Sequence, residues 1–284
     1  MKLHLLVASS LLLFVAPAFA DSTFTRTLNV SSQADLYVST GSGDIKISQA
    51  NDNQIHVVGH IHAGWSSFGD VKAREQRIVD NPPIVQNGNE VRIGETNDRN
   101  LFNNISIDYE IAVPSSAALN LHSGSGDIEI NHVGRYLSAT SGSGNVRAHG
   151  IHGPAELQAG SGDIELDQDA AGDVKAKTGS GNIRIHEFNG SLNARTGSGD
   201  VEAIGRLEGT GNLASGSGSV RLHLNPDARF NLEASTGSGD IHIQFPGAPK
   251  QDDSSRHHLT ASINGGGAPL EIRTGSGNIN VEPR

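Results

Sequence analysis

Thr178-Gly179-Ser180-Gly181-Asn182-Ile183-Arg184-Ile185 decides the fold, because close copies of it recur down the chain. Gly-Ser-Gly begins at Gly41, Gly124, Gly142, Gly160, Gly179, Gly197, Gly216, Gly237 and Gly275. From Gly124 onward the steps are 18, 18, 19, 18, 19, 21 and 38 residues. The last step is twice 19, which predicts one degenerate copy inside it. A fixed period of this size is the signature of stacked repeats.

With the first glycine of each copy as position 0, position +4 reads Ile128, Val146, Ile164, Ile183, Val201, Val220, Ile241, Ile279. Position +6 is Ile130, Ala148, Leu166, Ile185, Ala203, Leu222, Ile243, Val281, and positions −3 and −5 are apolar as well. Apolar and polar residues alternate, the two-residue period of a half-buried strand. Each repeat is therefore a strand, a Gly-Ser-Gly-Asp/Asn corner, a second strand and a second corner, the last often with its own glycine (Gly134, Gly153, Gly172, Gly190, Gly209). Glycine at the corner is expected to supply positive φ, and Asp or Asn at +3 to bond its own backbone two residues on. One such strand pair cannot bury its apolar face, whereas stacked neighbours can. The prediction is an all-β fold: a parallel β-helix, or β-solenoid, with rungs about 4.8 Å apart and one short helical insertion.

Position +5 supports the register independently, reading Glu129, Arg147, Glu165, Arg184, Glu202, Arg221 in consecutive rungs. In-register stacking alternates opposite charges up one outer face, each pair contributing only ~0.2–1 kcal/mol. Position +3 reads Asp127, Asn145, Asp163, Asn182, Asp200, Ser219, Asp240, so these acids are separated by neutral residues.

Residues 1–20 read as a secretory signal peptide: Lys2, an apolar run from Leu5 to Val15, and the A-x-A site Ala18-Phe19-Ala20, with cleavage after Ala20. The run is too short to span a membrane, and no second apolar run of ~20 residues follows. The absence of cysteine excludes disulfides, thiolate metal sites, a cysteine nucleophile and a lipid-modified cysteine. Setting Lys2 aside leaves 20 of the 21 Lys and Arg against 31 Asp and Glu, a net charge of −11. That balance argues against nucleic acid or an anionic membrane as partner. With eight Phe, three Tyr and one Trp, there is little aromatic surface for stacking bases or sugars. The expected product is soluble and exported, to the periplasm or beyond.

Residues 21–284 read as one solenoid domain with two departures. Within 65–104, Phe68 to Asp80 is a plausible short helix stopped by Pro82-Pro83. Strands follow at 84–86, 90–93 and 105–113, with a tight turn at Asn87-Gly88. This excursion is expected to cap one end of the array, where strand edges would otherwise be unpaired. The second departure, 245–267, carries Pro246, Pro249 and Gly265-Gly266-Gly267 and reads as a loop insertion.

Glycine- and Asp-rich repeats raise calcium binding, with Asp127, Asp163, Asp200 and Asp240 as the candidates. Calcium takes oxygens at 2.3–2.6 Å, so its ligands lie within about 5 Å of each other. Acids two rungs apart are nearly 10 Å apart, about twice the rung spacing, which favours Asp as a corner residue. His149, His186 and His223 share position +7, but Asp167 and Ile204 intervene, so they read as surface residues. The corner serines recur in every copy, and no nucleophile elbow stands in a strand-to-helix setting. No catalytic residue and no cofactor is expected.

Ser123-Gly-Ser-Gly-Asp-Ile128, Thr178-Gly-Ser-Gly-Asn-Ile183, Thr196-Gly-Ser-Gly-Asp-Val201 and Thr236-Gly-Ser-Gly-Asp-Ile241 resemble a bacterial β-strand-repeat "putative adhesin" family of unknown function. Tyr109-Glu110-Ile111-Ala112-Val113-Pro114, ahead of the array, is similar to that family too. The resemblance covers most of the chain beyond residue 20. It implies a β-helix-like fold and an adhesion role, and it carries no catalytic motif. The expected function is an exported, non-catalytic binding or structural module meeting a protein or glycan of the cell envelope. A carbohydrate-active β-helix enzyme and a calcium-binding repeat protein are the alternatives.

Overall fold

The structure, a computed structural model, describes residues 22–64, 70–98, 100–246, 248 and 256–284. The expected signal peptide lies outside the described residues. What is described is nearly all strand, hydrogen-bonded into one continuous sheet, with a single helix, Asp70–Asp80. Strands stack in parallel and in register. Val174–Thr178 pairs with Leu192–Thr196, and Ile183–Ile185 with Val201–Ala203, residue for residue. The sequence-derived ladder at +5 stands as read: Glu129, Arg147, Glu165, Arg184, Glu202 and Arg221 are successive register partners. Positions −5, −3, +4 and +6 point inward, and Ile164, Ile183, Ile185 and Val201 are fully buried.

The corner is built differently from the expectation. None of the Gly-Ser-Gly glycines has positive φ. They are glycine because the neighbouring rung passes too close. A Cβ on Gly142 would stand 2.2 Å from the Gly124 carbonyl oxygen, and one on Gly181 would stand 2.1 Å from that of Gly162. The +3 side chain also reaches out of its rung instead of back along its own backbone. Asp127 Oδ1 accepts from Asn145 N–H (2.7 Å), Asn145 Oδ1 from Asp163 N–H (2.9 Å), Asp163 Oδ1 from Asn182 N–H (2.7 Å), and Asn182 Oδ1 from Asp200 N–H (3.0 Å). Asp and Asn alternate freely because only an acceptor oxygen is required. Behind this column the hydroxyl at −1 spans two rungs. Thr196 Oγ1 donates to the Gly181 carbonyl at 2.8 Å and accepts from Gly199 N–H at 3.2 Å. Ser123, Ser141, Thr178, Ser215, Thr236 and Thr274 do the same, so buried hydroxyls and corner amides satisfy each other.

Rungs follow chain order only in the middle of the array. At one end the Gly41 rung lies between the Gly124 rung and an outer one, made of Glu90–Ile93 and the second half of Ile105–Val113. That outer rung is split by a loop and lacks the Gly-Ser-Gly corner. Gln54–Ala63 then pairs antiparallel with Ile105–Val113, Ser22–Asn29 with Gln54–Ala63, and Ile84–Asn87 with Glu90–Ile93. The helix packs on Ser22–Asn29 and Gln54–Ala63 through buried Val71 and Ile78. The helix-bearing excursion thus covers the end of the array.

At the other end the described residues of the 38-residue step form no degenerate copy. The final rung, Ala268–Thr274 with Ile279–Pro283, turns back and sits between the Gly216 and Gly237 rungs. The stretch read as a loop, 245–267, contains the strand His258–Ile263, which pairs antiparallel outside Phe230–Thr236. Rings collect where the regular rungs stop: Phe24 stands edge-on to Tyr109 at one end (6.4 Å), and Phe230 to Phe245 at the other (5.3 Å).

Candidate functional site

Three outer surfaces carry the side chains that chemistry would use. The first is the corner column. Asp127, Asp163 and Asp200 each spend Oδ1 on the next rung's backbone N–H, while Oδ2 faces an arginine. Arg147 approaches Asp127 at 3.1 Å, Arg221 approaches Asp200 at 3.5 Å, and Arg184 approaches Asp163 at 4.0 Å. The arginines at +5 therefore lean to the +3 acid of the preceding rung, a partner the spacing alone did not indicate. Burial would raise the Asp127 carboxyl, but hydrogen bonds from Asn145 and Arg147 outweigh it and hold the group below the usual carboxylate range. Asp240 accepts no such bond; its own N–H donates to Asn278 Oδ1 at 3.0 Å, and Arg256 lies 3.8 Å away. Among the described residues, no group of three or more His, Asp or Glu is placed to hold a metal ion.

The second surface was not legible in the repeat. Asp108 occupies the +3 place of the split rung, so three acids stack consecutively: Asp108 Oδ1 accepts from Asp44 N–H and Asp44 Oδ1 from Asp127 N–H, both at 2.8 Å. His62 Nε2 lies 2.9 Å from Asp108 Oδ2, and Lys46 and His60 each lie 3.8 Å from Glu110. The only sequence signal is Ile107-Asp108-Tyr109, which copies the acid and the following apolar residue of the motif without its glycines. Among the +7 residues, Asp167 separates two histidines, 2.7 Å from His149 and 3.9 Å from His186. His149 thus hydrogen-bonds the carboxylate that stands between the two imidazoles, in the alternation expected from the sequence.

The third surface is an open groove of about 350 Å³ along the second corner. It runs across several rungs between the −6 column (Tyr136, Pro154, Asp173, Ser191, Thr210) and the −4 column (Glu156, Lys175, Asn193, Asn212). Pro154, Asp173, Ser191 and Thr210 at −6 are shorter than Glu156 and Lys175 at −4, which leaves the trough. Tyr136 stands at its edge and is 42% exposed, one of two large hydrophobic residues left exposed among the described residues. Lys175 pairs with Glu156 at 2.6 Å and, by that hydrogen bond, holds the Glu156 carboxyl below its ordinary range. The outward tyrosine in an aromatic-poor chain was the available signal for this place. The groove has one closed ion pair, amides and hydroxyls beside an aromatic ring, together with Pro154, Ala155, Val174 and Leu192.

A family model described as Toastrack DUF4097 matches residues 35–282. No curated protein matches the chain. Among solved structures, a "putative adhesin" from Bacteroides fragilis NCTC 9343 is similar at 13% identity and a TM-score of 0.46, covering 92% of this chain and 98% of that one. A "putative lipid binding protein" from Parabacteroides distasonis ATCC 8503 is 13% identical with a TM-score of 0.32, over 91% and 96% of the two chains. A "putative adhesin" from Parabacteroides merdae ATCC 43184 is 9% identical with a TM-score of 0.32, over 92% and 99%.

Proposed function

The chain belongs to the Toastrack DUF4097 family, and from that premise we propose that it is an exported, non-catalytic module that presents a rigid, laddered surface to a protein or glycan of the cell envelope. The observation that carries this reading is the use to which the polar residues are put. The corner acids and −1 hydroxyls are committed rung after rung to stacking, which leaves the outer faces as regular charged ladders. The groove beside Tyr136 is the place on that surface suited to a ligand: an exposed ring with amide and hydroxyl groups along one trough. Export rests on residues 1–20, and no helix among the described residues is long and apolar enough to cross a membrane.

The test uses the chain from Asp21 onward against a panel of purified neutral and acidic polysaccharides and envelope proteins, scoring both binding and release of reducing ends. Binding that Tyr136→Ala weakens at least tenfold, at unchanged melting temperature and without reducing ends, is the expected result. Turnover of any polysaccharide would replace this reading with the carbohydrate-active enzyme. Fractionation of the source cells checks export: the full-length chain with Met1 retained in the cytoplasm would count against it.

A further inference from the structure

The final rung is a wedge between two rungs that are consecutive in the chain. The Gly216 and Gly237 rungs, joined by residues 225–229, never touch directly, because Ala268–Thr274 and Ile279–Pro283 pair with one on each side. Both separated rungs carry the Gly-Ser-Gly corner, and the wedge makes contacts of the same kind with each. Thr274 Oγ1 donates to the Gly218 carbonyl at 2.6 Å, and Thr236 Oγ1 to the Gly277 carbonyl at 2.9 Å. Asn278 N–H donates to Ser219 Oγ at 3.2 Å, and Asp240 N–H to Asn278 Oδ1 at 3.0 Å. A Cβ on Gly275 would stand 2.2 Å from the Gly216 carbonyl oxygen, and one on Gly237 would stand 2.4 Å from that of Gly275. Two consequences follow. If the wedge leaves, the faces it separated carry what is needed to stack on each other. And the slot reads only the motif, so it accepts residues 268–284 from any copy of the chain.

The connection to the wedge is short and conformationally demanding. Asn264, Gly265 and Gly266 have φ of 52°, 90° and 80°, and Asn264 is clamped to the Pro226 and Ala228 carbonyls at 3.0 and 2.9 Å. Short hinges under strain favour exchange of the element they carry. Among the described residues, the strand before the hinge, His258–Ile263, pairs on one side only, with Phe230–Thr236. Ile263 to Ala268 is five residue steps, which reach about 17 Å when extended. Three strand spacings, about 14 Å, separate that strand from the slot of a second copy abutting it end to end. We infer that two copies exchange residues 268–284, each filling the other's slot in a closed two-fold dimer.

The chain has no cysteine, which makes the test direct. Asn212 and Glu271 are register partners across the slot, their side chains 3.2 Å apart. Two single variants of the full chain, Asn212→Cys and Glu271→Cys, one of them tagged, are mixed at high concentration in mild denaturant, refolded and oxidised. A tagged-to-untagged disulfide dimer is expected, at least tenfold above that from the control pair Lys175→Cys and Asn193→Cys, which are partners in rungs that do not exchange. A yield equal to the control overturns the inference. A second measurement uses the double variant N212C/E271C, oxidised as a monomer before mixing. Locking the wedge is expected to abolish the dimers seen by light scattering, and dimers that persist with the lock closed overturn the exchange.

Discussion

Glycine at the corner answers to a neighbour in space, which sequence spacing does not reveal. Gly41 and Gly142 hold the same place in the motif, yet a Cβ on Gly142 meets the Gly124 carbonyl at 2.2 Å while one on Gly41 meets nothing within 4 Å. Gly142→Ala is therefore expected to cost about 3 kcal/mol by overpacking, and Gly41→Ala to leave the melting temperature within about a degree. Equal losses at both sites would return the explanation to backbone conformation. The hydroxyl column has one gap, Ala159, where its counterparts each make two hydrogen bonds. Ala159→Ser is expected to stabilise by about 1–2 kcal/mol, visible as a higher melting temperature. At Asp163 the acceptor oxygen is what the next rung uses: Asp163→Asn is expected to be nearly silent and Asp163→Ala to cost about 1 kcal/mol. A calcium-dependent rise in melting temperature that Asp163→Asn abolishes would instead make the column a metal site. Because the Asp127 carboxyl is held below its usual range in the fold, its contribution is present above the unfolded pKa and is lost as pH falls through the lowered value. Asp127→Asn should flatten that acid limb in a melting series below pH about 4.

The elements of the array were legible because inward and outward residues alternate in every repeat and a one-residue slip would turn the apolar set outward. Ile183 shows what that register protects: it is fully buried, and Ile183→Asp is expected to cost about 3 kcal/mol or more by burying an unpaired charge. A mutant melting within a degree or two of the parent would mean that the inward face is misassigned. The helix was legible from its charged face and from Pro82-Pro83. What spacing could not convey is which rung sits beside which at the two ends. Every Gly-Ser-Gly rung offers the same carbonyls and takes the same hydroxyl, so the Gly237 motif fits the Gly275 rung as well as the Gly216 rung. The choice is made by Gly265-Gly266-Gly267, which turns the chain back under Phe230–Thr236. Asp108 stayed hidden for the related reason that its rung keeps the acid and drops the glycines, and the Tyr136 groove because it is a gap between columns that no single repeat contains.

Taken whole, the molecule is a stack that carries antiparallel strands at both ends, with a helix at one of them. From the Gly124 rung to the Gly216 rung, its rungs are of two kinds in turn. One carries Asp at +3 and Glu at +5, as in Asp127 with Glu129 and Asp163 with Glu165. The other carries a neutral residue with arginine, as in Asn145 with Arg147 and Asn182 with Arg184. Arg147 and Arg184 each sit between acidic rungs on both sides. The smallest segment by which such a chain can grow or shrink is therefore a pair of rungs, 37 residues from Gly142 to Gly179 or from Gly160 to Gly197. Duplicating one rung would set arginine on arginine or glutamate on glutamate. Duplicating two would leave every junction as it was, so the paired insertion should melt above the single one in a direct comparison.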